Sequence, residues 1–244
     1  MSQPILEYYD VILRQEASDL DVNTLREGEW IADTIIEFHE EYLERTALRK
    51  SQAIKLLKPS VSYLVAHMQD TSDLASVVPA DLPTSQAVFI PVNDATDITC
   101  ADSGSHWSLL VYARPFNAFY YYDSLRDSNL KSALAVAGKI GPLLSPTKPN
   151  FIHQKNAPQQ DNGADCGACV IGVIDVIVNR LLQPQTPGTA LNPDAIMYVS
   201  DQDILPPSTV RSALRDIIIK LVDVANNTPG NALRAGDDVP VSTS

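Results

Sequence analysis

Residues 166–182, CGACVIGVIDVIVNRLL, constrain this chain more than any other stretch. On a helix, Val170, Ile171, Val173, Ile174, Val176, Ile177, Val178, Leu181 and Leu182 cover nearly the whole circumference, so the helix must be central and covered on all sides. A polar, turn-rich run, APQQDNGAD (157–165), leads into it. Cys166 therefore opens the helix at the end of the core, where backbone N–H groups point outward. A Cys there meets the positive end of the helix dipole, which favours a thiolate. The same N–H groups can bind an oxyanion.

The elements around this helix read as α+β, with helices first, then strands, then helices. Residues 1–28 are mixed, with extended segments and turns. Ile31, Ile35, Phe38 and Tyr42 recur at helical spacing after Trp30, and residues 60–68 form a second helix. Residues 87–93 form a strand whose Pro91 marks an end or an edge. HWSLLVYAR (106–114) and AFYYYDS (118–124) are β-rich runs joined by PFN, a hairpin signal. Residues 127–144 form a helix broken near Gly141-Pro142, residues 150–154 a short strand, and residues 183–207 a surface excursion. The last helix carries Val210, Leu214, Ile217, Leu221 and Val224 on one stripe. Residues 1–228 are expected to form a single domain, and 229–244, which lack periodicity, a disordered tail.

The 244 residues suffice for a sizeable core. The net charge of −12 argues against nucleic acid and favours a basic protein partner. Three cysteines, Cys100, Cys166 and Cys169, are too few and too odd for a disulfide framework, which points to a reducing compartment, cytoplasm or nucleus. No apolar run is long enough for a membrane span.

A thiol nucleophile needs a base, and the chain offers four histidines. His39 and His67 fall within helical patterns, and His153 lies in the short strand. His106 differs because it opens a strand after a turn cluster. If the hairpin turns near Asn117, His106 and Asp123 leave from the same end of the ladder. Nucleophile, base and orienting acid then fit a thiol hydrolase triad. Gln160, six residues before Cys166, can add a side-chain oxyanion donor, or it merely joins Gln159 and Asn162 in a turn. Trp30 and Trp107 read by themselves as ordinary core aromatics. Cys166-Gly-Ala-Cys169 also matches a redox dithiol, but that motif follows directly on a strand, and here a nine-residue polar loop (157–165) intervenes. The two sulfurs lie one helical turn apart, so oxidation is expected to close a reversible disulfide.

GEWIADTIIEFHEEYL, FIPVN, SHWSLLVY, YYYDSL and QQDNGADCG resemble, in order, the segments of the Ulp1-type cysteine proteases, which act on ubiquitin-like modifiers. The likeness runs from about Trp30 into the Cys166 helix and is greatest to the NEDD8-specific branch. It implies a papain-like α+β fold of the Ulp1 type, a central mixed sheet packed by helices with the nucleophile on a buried helix. It further implies His106, Asp123 and Cys166 as triad, Gln160 in the oxyanion hole, and Trp30 and Trp107 roofing a tunnel for a Gly-Gly tail. Asp33 becomes a contact for the modifier, although it reads equally as an acid placed at a helix start. The implied partners are NEDD8 or a related modifier and its conjugates, cullins among them, met by a monomer without metal or cofactor. Ala164 departs from a usual aromatic, and Ala168 and Cys169 from usual bulky residues.

Overall fold

The computed structural model describes residues 4–14, 21–95, 104–184, 190–227 and 232–233. In chain order the elements are β1 (Pro4–Tyr8), β2 (Val11–Arg14), α1 (Asp33–Arg45), β3 (Ile54–Leu56), α2 (Pro59–His67), α3 (Leu74–Val77), β4 (Ala87–Asn93), β5 (Trp107–Ala113), β6 (Ala118–Tyr122), α4 (Leu130–Leu144), β7 (Asn150–His153), α5 (Cys166–Leu182), α6 (Pro193–Met197), α7 (Pro207–Asn227) and β8 (Ala232–Leu233). Among the described residues, β3-β4-β5-β6-β7 form a mixed sheet: β4, β5 and β6 are antiparallel, and β3 and β7 add parallel edges. A smaller sheet, β2-β1-β8, lies apart from it.

Period-two alternation sorts the strands onto two cores. In β5, Leu110 and Tyr112 face the α2 and α4 side with Val65, Val136 and Ile140. Leu109 and Val111 face the other side, against Val170, Val173, Ile174 and Ile177 of α5. Ala168 and Ile171, on the far face of α5, pack into a third cluster from β1, β2, α1 and α7. The helix therefore lies between the sheet and an outer layer, as its all-round apolarity requires. Its two charged positions are individually tied: Asp175 to His39 of α1 at 2.8 Å, and Arg180 to Asp203 at 2.5 Å.

Pro91 sits inside β4, which β5 and β3 flank. The three-residue β3 ends opposite Phe89, and beyond it the Ser62 hydroxyl of α2 donates to the Pro91 carbonyl at 2.5 Å. The position is thus a local edge, where a missing N–H is tolerated. The expected break near Gly141-Pro142 does not occur. α4 continues to Leu144, because Ile140, Gly141 and Leu144 are buried and the Ser145 N–H caps the Gly141 carbonyl at 3.0 Å. On α7 the buried stripe is Val210, Leu214, Ile218, Leu221 and Ala225. Ile217 and Val224 pack at its margin, one step round from the expected line. The excursion after α5 covers core as well as surface, since Ile196, Met197 and Val199 are buried. Of the expected C-terminal tail, Ala232–Leu233 pair with β1, and the remainder lies outside the described residues, as does Cys100.

Candidate active site

The hairpin brings the first two candidates together. Arg114–Phe116 form a single 3-10 turn, and Asn117 adopts φ 44°, a left-handed conformation that asparagine tolerates. The ladder that follows places Leu109 opposite Tyr122. His106 and Asp123, just outside the two strands, meet with Nε2 and Oδ1 2.6 Å apart. Both are almost wholly buried. Asp94 pins the approach to β5, accepting from the His106 N–H at 2.9 Å, the Ser105 N–H at 2.6 Å and the Ser105 hydroxyl at 2.7 Å.

Asp123 is held from several directions. Its Oδ2 accepts from the Tyr121 hydroxyl at 2.5 Å and the Asn129 N–H at 3.0 Å, and Oδ1 also accepts from the Leu125 N–H at 2.8 Å. Burial by itself would raise this carboxyl, but the hydrogen bonds from His106, Tyr121, Asn129 and Leu125 outweigh it and hold the pKa at about 2. Burial likewise pulls the His106 imidazole down. Hydrogen bonds to Asp123 and Cys166, with their charges, overcome it and lift the pKa to about 9. With Nε2 committed to Asp123, Nδ1 is the ring nitrogen left for the Cys166 sulfur.

The turn Ser124–Asn129 passes through left-handed Arg126 and Asp127 and returns Asn129 to cap Asp123. It also anchors the loop before α5. The Gln160 N–H donates to the Ser124 carbonyl at 2.9 Å, and the Ser124 hydroxyl donates to Gln160 Oε1 at 2.6 Å. The amide oxygen is thereby fixed, and Nε2 donates to the Asn162 carbonyl at 2.7 Å. Gln159 Nε2 reaches the Asp123 carbonyl at 2.8 Å.

The other candidates fall elsewhere. His39 is buried and tied to Asp175, His67 Nδ1 contacts the Tyr63 carbonyl at 2.9 Å, and His153 pairs with Asp127 at 2.5 Å. Cys169 is buried beside Ser124, and burial pushes its thiol up to about 12. A thiol raised in this way is a poor source of thiolate, which disfavours its attack on an oxidised Cys166. Trp107 is partly buried between two core clusters, and with Asp123, Ser124, Pro158 and Cys169 it lines a small pocket. Trp30 stands 55% exposed just before α1. Asp33, also exposed, accepts from the Thr34 N–H at 2.8 Å.

A buried acid bonded to an imidazole that lies beside a helix-terminal cysteine can perform acyl transfer by a thiol. A family profile described as "Ulp1 protease family, C-terminal catalytic domain" matches residues 29–198. The chain belongs to the Ulp1 protease family. Membership accounts for the central mixed sheet and for the helix that carries Cys166. Among curated Ulp1-type relatives, NEDD8-specific protease 1 of Arabidopsis thaliana is 31% identical over 219 residues, which cover 89% of this chain and 92% of the relative. NEDD8-specific protease 2 of Schizosaccharomyces pombe is 32% identical over 223 residues, 89% of this chain but 50% of the relative, so the chain spans half of that protein's length. The solved yeast Ulp1 protease domain in complex with SMT3 shares the fold, with a TM-score of 0.61 at 18% identity, covering 91% of this chain and 89% of that one.

Residues that do not stand out in sequence hold the candidate site together: Asp94, Tyr121, Ser124, Asn129 and Gln159. Tyr121 and Ser124 flank a singled-out Asp, which is a usable signal. Asn129 carries none, because its side-chain partners, Val92 and Ser108, lie on other strands.

Proposed function

We propose that this chain is a cysteine protease that cleaves after the C-terminal Gly-Gly of a ubiquitin-like modifier, with NEDD8 preferred. The observation that carries the reading is the Asp123–His106 pair, bonded at 2.6 Å and set beside Cys166 at the mouth of a buried helix. The NEDD8-specific names of relatives at 31–32% identity support the choice of modifier.

The modifier tail lies extended beside the cleft, and its two glycines pass under Trp107 and Trp30, where a Cβ would clash. His106, held by Asp123, takes the Cys166 proton, and the thiolate attacks the carbonyl of the last Gly. The backbone N–H at Cys166 and the Gln160 amide receive the oxyanion. His106 protonates the leaving amine, from a lysine conjugate or a precursor tail, and water then releases the acyl-enzyme. The enzyme acts as a monomer, with cullins among its conjugate substrates. Asp33 and the net charge of −12 favour a basic tail and speed the encounter.

C-terminal electrophile probes made from NEDD8, ubiquitin and SUMO, compared at two salt concentrations, test the reading. NEDD8 should label Cys166 fastest, ubiquitin weakly and SUMO slowest, and salt should narrow the gap. Faster labelling by SUMO would transfer the chain to the SUMO-specific branch. Labelling by none would overturn the reading.

A further inference from the structure

Asp165 immediately precedes Cys166 and occupies the N-cap of α5, yet its side chain caps no amide of the helix. An Asp at that position ordinarily accepts from the second or third N–H of its helix, here Gly167 or Ala168. Its carboxylate is turned instead toward Arg211 of α7. Oδ1 accepts from Nη2 at 2.8 Å and Nε at 3.1 Å, and Oδ2 accepts from the Asn162 amide at 2.7 Å. Arg211 is buried and is held in turn by four carbonyls: Thr24 at 2.8 Å, Arg26 at 3.1 Å, and Glu29 and Ala164 at 2.9 Å each. One guanidinium thus joins the last helix, the segment ending at Trp30, and the two residues before the nucleophile. It lies outside the stretch that matches the family profile.

A carboxylate relaxed onto the α5 amides would place a full negative charge at the helix end where a thiolate and then an oxyanion must form. We propose that Arg211 is a positioning residue for acyl transfer, which holds the Asp165 carboxylate away from the α5 N-terminus and neutralises it. This rests on the proteolytic reading of Cys166. The planar fork, its N–H groups anchored by carbonyls, fixes the direction in which the carboxylate points, which a flexible ammonium would not do.

The test is steady-state hydrolysis of a NEDD8 C-terminal fluorogenic amide by wild type, Arg211→Met, Asp165→Asn and the double variant, each checked for folding by thermal melting. Arg211→Met should lower kcat about tenfold or more, the scale of one charge at a partly buried helix end, with KM changed less than about threefold. Asp165→Asn alone should stay within about threefold of wild type. In the double variant most of the lost kcat should return, because the carboxylate that relaxes onto the helix end is gone. A merely structural Arg211 would show no such rescue. Should Arg211→Met not fold, Arg211→Gln, which retains hydrogen bonds to the carbonyls without the charge, carries the same expectations. An unrescued double variant, or Asp165→Asn as impaired as Arg211→Met, would overturn the proposal alone. An inert wild type would overturn the proteolytic reading and this proposal with it.

Discussion

The Tyr121 hydroxyl donates to Asp123 Oδ2 at 2.5 Å, so the carboxylate that orients His106 is itself oriented from its own strand, two residues back. A hydrogen bond to a charged group in a buried site contributes on the order of 1.5–3 kcal/mol. Tyr121→Phe removes that donor and leaves the ring in place. Its kcat should fall by about tenfold while probe labelling of Cys166 persists, and a kcat equal to wild type would show that the Leu125 and Asn129 N–H groups suffice.

The two described cysteines should separate cleanly. Cys166→Ser should abolish hydrolysis and labelling without loss of fold, since the exchange is nearly isosteric. Cys169→Ala should retain activity within a few-fold. Because burial raises the Cys169 thiol to about 12, recovery after mild peroxide and reductant should be the same in wild type and Cys169→Ala. Better recovery in wild type would restore the disulfide expectation.

Stability should depend on pH through the His106–Asp123 pair. His106 rises from 6.5 to about 9 on folding, so its contribution is full below pH 6.5 and is lost as pH rises through about 9. Asp123 falls from 3.8 to about 2, so its contribution is full above pH 3.8 and is lost as pH falls through about 2. The His106–Asp123 bond is common to both shifts and counts once, at about 2 kcal/mol. Urea melts should therefore place the pair's maximum between about pH 4 and 6.5. His106→Ala should flatten the decline between about pH 6.5 and 9, and an unchanged decline would locate it in other groups.

Gly167 lets the Trp30 segment lie against the nucleophile helix. A Cβ there would stand 2.8 Å from the Ile31 Cβ, closer than side chains tolerate. Gly167→Ala should cost about 1–3 kcal/mol despite the better helix propensity of Ala. Because Ile31 adjoins Trp30, KM for a modifier substrate should rise more than kcat falls. A variant as stable as wild type with unchanged KM would show that the segment shifts freely.

Much of the site was legible in sequence because it rests on local periodicity. The all-round apolar run fixed α5 and put Cys166 at its first turn. Alternation on either side of PFN defined the hairpin, and a hairpin's register carries His106 to Asp123 without help from the rest of the fold. The order of five motifs carried the family. What required tertiary structure lies where a side chain finds its partner across long sequence separation. Arg211 meets Asp165 and Thr24 from 46 and 187 residues away. Cys169, which spacing pairs with Cys166, is turned to Ser124 because α5 is packed on both faces. Ile218 replaces Ile217 on the buried stripe because the outer core sets the rotation of α7. Glu40 is wholly buried on α1, where burial raises its carboxyl well above the ordinary range. Periodicity records which face of an element is apolar, whereas the packing of distant elements decides where each polar group finds its partner.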